Sequence, residues 1–99
     1  MFTFNEHFRR FRDDLIKIAE GDIGVRQGLI LSIKQLDDTQ ENYTQLGKFI
    51  AFGEGIVVAL NIYKLDEIVK SEILRVLSIC SIKKVNIFEN IHKKSVDNL

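Results

Sequence analysis

The sequence has no proline, a single cysteine and no surplus of charge of either sign. Without proline nothing breaks a helix from within, and no proline- or glycine/serine-rich stretch marks a linker or a low-complexity segment. The one cysteine, Cys80, excludes an internal disulfide and suits a reducing compartment. Lysine plus arginine equals aspartate plus glutamate at 14 each. No overall field therefore draws the chain to nucleic acid or to an anionic membrane, while weak colloidal repulsion favours self-association. There is no internal repeat, and Gly53 and Gly55 are not followed by the Gly-Lys-Ser or Gly-Lys-Thr of a phosphate-binding loop. The opening MFTFNEHFRRFRDD has neither an uninterrupted apolar core nor a small-residue cleavage site, so no signal peptide is expected. Ninety-nine residues imply one domain, 1–99, able to bury roughly 60–70% of its unfolded surface.

What is present is helical periodicity. The longest apolar run, Leu46 to Tyr63, places Gly47, Ala51, Gly55 and Ala59 four apart, on one helix face. The other faces carry Leu46, Phe49, Ile50, Phe52, Ile56, Val57, Val58, Leu60 and Ile62. A helix apolar nearly all round is buried on all sides, which predicts a central helix over about residues 40–63, with the small-residue stripe admitting a close neighbour. The run contains Lys48, Glu54 and Asn61, whereas a spanning helix needs about 20 residues with few or no charges. The expected location is the cytoplasm, with no membrane partner.

Around that helix the spacing predicts four others. Phe4, Phe8, Phe11, Leu15 and Ile18 make the apolar stripe of a first helix over 4–20, capped by Asn5 or Thr3 and stopped at Gly21. Val25, Leu29, Ile33 and Leu36 form the inner face of a second over 23–37, capped by Asp22. Asp37-Asp38-Thr39 is the clearest break before the central helix, which Gly53-Glu54-Gly55 has the means to bend. Asp66 starts a fourth helix over 67–80 with Ile68, Val69, Ile73, Val76, Leu77 and Cys80 inward. A last one over 83–95 turns Val85, Phe88 and Ile91 inward, with Ile82 leading in. The expected fold is all-α, a small four- to five-helix bundle or compact orthogonal array.

Few residues form a chemical set. Glu54, flanked by glycines, reads as a carboxylate delivered to water, with a buried acid as the alternative. Glu89 and His92 form one Glu-x-x-His motif, where di-iron bundles need two. His7 lies beside an apolar stripe with no nucleophile in view, and Cys80 reads as a small core residue. No catalytic residue, metal or cofactor is predicted. Arg9, Arg10 and Arg12 on the first helix and Lys83, Lys84, Lys93 and Lys94 on the last are candidates for nucleic-acid phosphates, although Glu6, Asp13 and Asp14 neutralise the arginines locally. Thr39 to Gly47 resembles the Thr-Gln-Glu…Leu-Gly opening of repressor-type helix-turn-helix domains over those nine residues only. It is one residue short to the glycine, has Thr44 where alanine is usual, and leads into Glu-Gly-Ile-Val-Val-Ala-Leu, which has no side chain to read a base.

The expected function is therefore a non-enzymatic protein–protein interaction module acting through a helical surface: a small regulator, an inhibitor or immunity-type protein, or an adaptor. It is expected to pair with itself as a homodimer or with another protein. Phe4, Phe8, Phe11 and the stripe Gly47, Ala51, Gly55 and Ala59 are the interface candidates, the alternative for the phenylalanines being that they fill this chain's own core. A nucleic-acid-binding regulator through the basic ends is the alternative, followed by a metal protein or enzyme through Glu54 or Glu89 and His92.

Overall fold

Three of the four α-helices begin where the sequence supplies a side-chain cap. The computed structural model describes residues 3–62 and 66–97, with side chains as far as Lys93. Tyr63, at the end of the expected central helix, and the side chain of Lys94 lie outside the described residues. Helix α1 (Glu6–Ala19) starts at Asn5, whose side-chain oxygen accepts from the Phe8 N–H at 3.0 Å. It stops at Gly21, the one glycine with left-handed backbone, φ +106°. There the Gly21 N–H reaches the Ile18 carbonyl and the Asp22 N–H the Lys17 carbonyl, each at 2.9 Å, the paired bonds of a Schellman stop. A single 3-10 turn (Ile23–Val25) under Asp22 leads into α2 (Arg26–Lys34). Thr39 caps α3 (Gln40–Ile62), its hydroxyl accepting from the Asn42 N–H at 3.1 Å. Asp66 caps α4 (Glu67–Asp97) through the Ile68 N–H at 2.8 Å. Four α-helices and no strand among the described residues make the small all-α architecture that the periodicity predicts.

Helices α3 and α4 form a long antiparallel hairpin. Asn61 accepts from Lys70, Gly53 packs on Leu77, Gly47 on Lys84, and Tyr43 on Phe88, so one strand of contacts climbs as the other descends. The two helices come close at Gly53, where an added Cβ would lie 2.4 Å from a Leu77 methyl. Helices α1 and α2 cover one side of this hairpin. Phe4, Phe8 and Phe11 gather edge-on around Phe49, with centroids 6.2–6.4 Å from its ring. The buried Gln45 side chain accepts from the Asn5 N–H at 2.9 Å. Helix α2 is fixed to α4 by the Arg26–Glu72 ion pair and by the Lys83 ammonium donating to the Lys34 carbonyl at 3.0 Å, while Asn90 donates to Asp38 at 2.9 Å. The core between the layers contains Leu15, Ile18, Leu29, Ile33, Leu46, Ile73, Val76, Cys80 and Ile87.

Two expectations are corrected. The expected fourth and fifth helices are one, because no glycine or proline lies between Glu67 and Asp97 to end the first. The unbroken helix carries its phase forward from Ile73, Val76 and Cys80 to Ile87, which is buried, so that Ile82, Val85 and Phe88 face solvent instead of the core, as does Ile68. The central helix is likewise not enclosed on all sides. With the fifth helix absorbed into α4, nothing is left to cover its far face, and Ala51, Glu54, Gly55, Val58, Ala59 and Ile62 are exposed. The Gly53-Glu54-Gly55 segment does not bend α3, which runs unbroken for 23 residues.

Candidate functional site on the outer face of the hairpin

The uncovered side of the hairpin is the largest feature that the fold leaves unexplained. On α3 it comprises Thr44, Gly47, Ala51, Glu54, Val58 and Ile62; on α4 it comprises Leu74, Ser78, Ser81, Val85 and Phe88. Both sets advance in steps of three and four, the spacing by which helices mesh side chains with a partner. The five large apolar members, Val58, Ile62, Leu74, Val85 and Phe88, are 46–68% exposed. Isolated exposed apolar residues are ordinary, but a contiguous apolar patch marks an interaction site. Glu54 is the one charged residue in these two rows.

The face is textured at one end. Tyr43, Lys84, Val85, Phe88 and Glu89 line a groove of about 380 Å³. Tyr43 and Phe88 lie 5.7 Å apart between ring centroids, and the His92 ring is 4.1 Å from that of Phe88. The Lys84 ammonium sits 4.8 Å over the Tyr43 ring, a cation–π contact, and beside Gly47, 3.5 Å from where a Cβ would stand. A second, polar cleft of about 390 Å³ lies between α1, α2 and the start of α3, lined by His7, Arg10, Asp14, Ser32, Gln35, Asp37 and Asn42 among others. Its acids and bases are mixed, which suits solvent better than a ligand of either sign.

The remaining sequence candidates fall elsewhere. Phe4, Phe8 and Phe11 are corrected as surface anchors: all three are buried in the chain's own core, because α3 offers Phe49 and Phe52 to receive them. Of the stripe Gly47, Ala51, Gly55 and Ala59, Gly47 alone meets a neighbouring helix, through the Lys84 side chain of α4, and the other three are exposed. A Cβ at Gly55 meets nothing within 4 Å, and the close-approach role belongs to Gly53.

The basic residues do not form one patch. The Arg9 guanidinium donates to the Phe4 carbonyl at 3.1 Å, Arg10 pairs with Glu6 at 3.7 Å, and Arg12 pairs with Asp13 at 3.0 Å. Lys83 and Lys84 turn to opposite sides of α4, one toward α2 and the other toward α3, while Lys93 is exposed.

Thr39 to Gly47 is a cap and the first turns of one continuous helix, with no turn after it to make a helix-turn-helix. Glu54, Glu89 and His92 are exposed, and among the described residues no three His, Cys, Asp or Glu side chains come together. Cys80 is fully buried, and burial pushes its thiol up to about 12, which disfavours the reactive thiolate. Helix α3 is long and apolar enough to cross a membrane by length and composition, yet Leu46, Phe49 and Leu60 on one of its sides belong to the core.

Sequence reasoning missed Leu74, Val85 and Phe88 as surface residues. The signal was available: their three-and-four spacing continues through a segment with no helix stop. Comparison with protein-family models, curated proteins and solved structures finds no match for this chain.

Proposed function

We propose that this chain is a non-enzymatic interaction module of the cytoplasm, a small regulator, inhibitor or adaptor that works by presenting the outer face of the α3–α4 hairpin to another protein. The observation that supports this most is the set of five large apolar side chains left open on two adjacent helices, with Glu54 the one charged member of the two rows and the Lys84 ammonium beside Gly47. Burying such side chains contributes about 25 cal/mol per Å² of apolar surface, and the charge-poor centre is the composition of an interface core. Nothing comparable favours nucleic acid, since the arginines are engaged by neighbouring acids and carbonyls.

The test is cross-linking in living cells from a photoreactive residue placed at Val85, with Lys17 on the exposed side of α1 as the control. Protein adducts are expected from Val85 and not from Lys17. No protein adduct at Val85, or equal yields from both sites, would remove this reading.

A further inference from the structure

We infer that the outer face is covered by a second copy of this chain, turned end for end in a twofold dimer; this rests on the interaction reading above and names its partner. Three observations point to a copy of the same chain.

The first is area. The chain exposes 6476 Å², against roughly 5,800 Å² for a folded monomer of its mass. Its radius of gyration is 14.5 Å, against about 12.6 Å for a compact domain of this length. The excess surface is close to the roughly 800 Å² that each partner contributes to a stable complex. The open face itself, about 27 Å of α3 by two helix widths of about 10 Å each, is of that order.

The second is shape. The hairpin contacts Asn61–Lys70, Gly53–Leu77, Gly47–Lys84 and Tyr43–Phe88 put Ala51 level with the turn between Ser78 and Ser81. A twofold axis crossing both helices at that level sets Gly47 against the partner's Gly55 and Thr44 against the partner's Val58. On α4 it sets Ser78 against the partner's Ser81 and Leu74 against the partner's Val85. Small residues meet at the centre, where helices approach most closely, and larger ones meet toward the ends. An isologous interface must be self-complementary in this way.

The third is charge. In the same register Glu54 comes level with the partner's Lys48, one residue from the partner's Gly47, beside which the partner's Lys84 ammonium lies. Two such pairs form across the axis. A twofold parallel to the helices would instead lay α3 on the partner's α4 and set Glu54 level with the partner's Leu77, about 10 Å along the helix from the partner's Lys84.

The experiment is light scattering after size exclusion. The wild type should run at twice its 11.4 kDa mass. Glu54→Lys and Lys84→Glu should each run largely as monomer, and the double charge swap should run as dimer again. Should Lys84→Glu disturb the fold by far-UV circular dichroism, Val58→Glu, which lies off the α3–α4 contact, replaces it as the dissociating variant. On oxidation Ala51→Cys should link two chains, because it sits at the axis. Ala59→Cys should not, because its mate lies about 24 Å away along the helix.

A wild type monomeric at every concentration overturns the dimer. So does a dimer indifferent to every face variant, or Ala59→Cys linking as readily as Ala51→Cys. Binding of a monomeric wild type to phosphatidylcholine–phosphatidylglycerol vesicles, lost in Val85→Glu, would put a lipid surface on this face and overturn it as well. A monomer whose Val85 still cross-links to a different protein sinks the dimer while leaving the interaction reading intact; failure of both measurements sinks both.

Discussion

Replacing Gly53 with alanine sets two effects against each other. In a helix interior the exchange removes glycine's backbone-entropy cost and favours folding by about 1 kcal/mol. Here the new methyl would lie 2.4 Å from one Leu77 methyl and 3.0 Å from the other. Leu77 is buried, so its methyls must shift within a packed core, and the collision falls in the class of overpacking that costs about 1–3 kcal/mol. The net expectation is a loss of up to about 2 kcal/mol, and each kcal/mol lowers the melting temperature of a domain this size by about 4–8 °C. In a Leu77→Ala background the obstacle is gone, and Gly53→Ala should become stabilising by up to about 1 kcal/mol. The four proteins of this double-mutant cycle are compared by urea unfolding, and the coupling between the sites should be about 1–3 kcal/mol. If Gly53→Ala has the same effect with and without Leu77, the α3–α4 register described above is wrong.

Other perturbations follow from the same structure. Phe49→Ala should cost about 3–5 kcal/mol by thermal or urea denaturation, because Phe4, Phe8 and Phe11 all pack against that ring. Asn5→Ala removes the α1 cap and the contact from Asn5 Nδ2 to Glu41, and should cost about 0.5–2 kcal/mol in the same assay. Cys80 should resist thiol reagents in the folded protein and react on unfolding. Its thiol is held near 12 against 9.0 in the unfolded chain. The unfolded state therefore loses the proton first, and stability should fall by up to about 1.4 kcal/mol per pH unit as pH rises through that window. Cys80→Ala should lose less stability over the same pH range.

The fold was legible where the sequence carried physical punctuation. Asn5, Gly21, Asp22, Thr39 and Asp66 stand at helix ends because short polar side chains and glycine satisfy the backbone groups that a helix leaves open there. The inner face of α2 was legible as well, since Leu29 and Ile33 are the buried centre of its stripe. What periodicity alone did not decide was which side of an apolar helix finds cover. Leu46 to Tyr63 is apolar nearly all round, so its own sequence does not distinguish the side under Phe8 and Leu77 from the open side at Ala51 and Val58; that depends on how many helices remain to pack against it. The break placed near residue 82 supplied one helix too many and turned Val85 and Phe88 inward. Phe4, Phe8 and Phe11 were equally ambiguous, because an aromatic stripe has the same spacing whether it fills a core or waits for a partner. Phe49 on another helix decided it. Glu54 and Lys84 carried no sign of being matched until the hairpin contacts fixed their levels.

The central claim is that the open hairpin face is an interface between two copies lying end for end. Pulsed dipolar spectroscopy on nitroxide-labelled protein tests it most directly, with single labels at Arg75 and, separately, at Lys93, both exposed positions on α4. With the axis between Ser78 and Ser81, the axial distance between the two labels of a dimer grows by about 3 Å for each residue moved away from it. The Lys93 pair should therefore lie roughly 27 Å farther apart along the helix than the Arg75 pair. Equal distances at the two sites would mean parallel chains, and no dipolar signal at either would mean no dimer; either result contradicts the account.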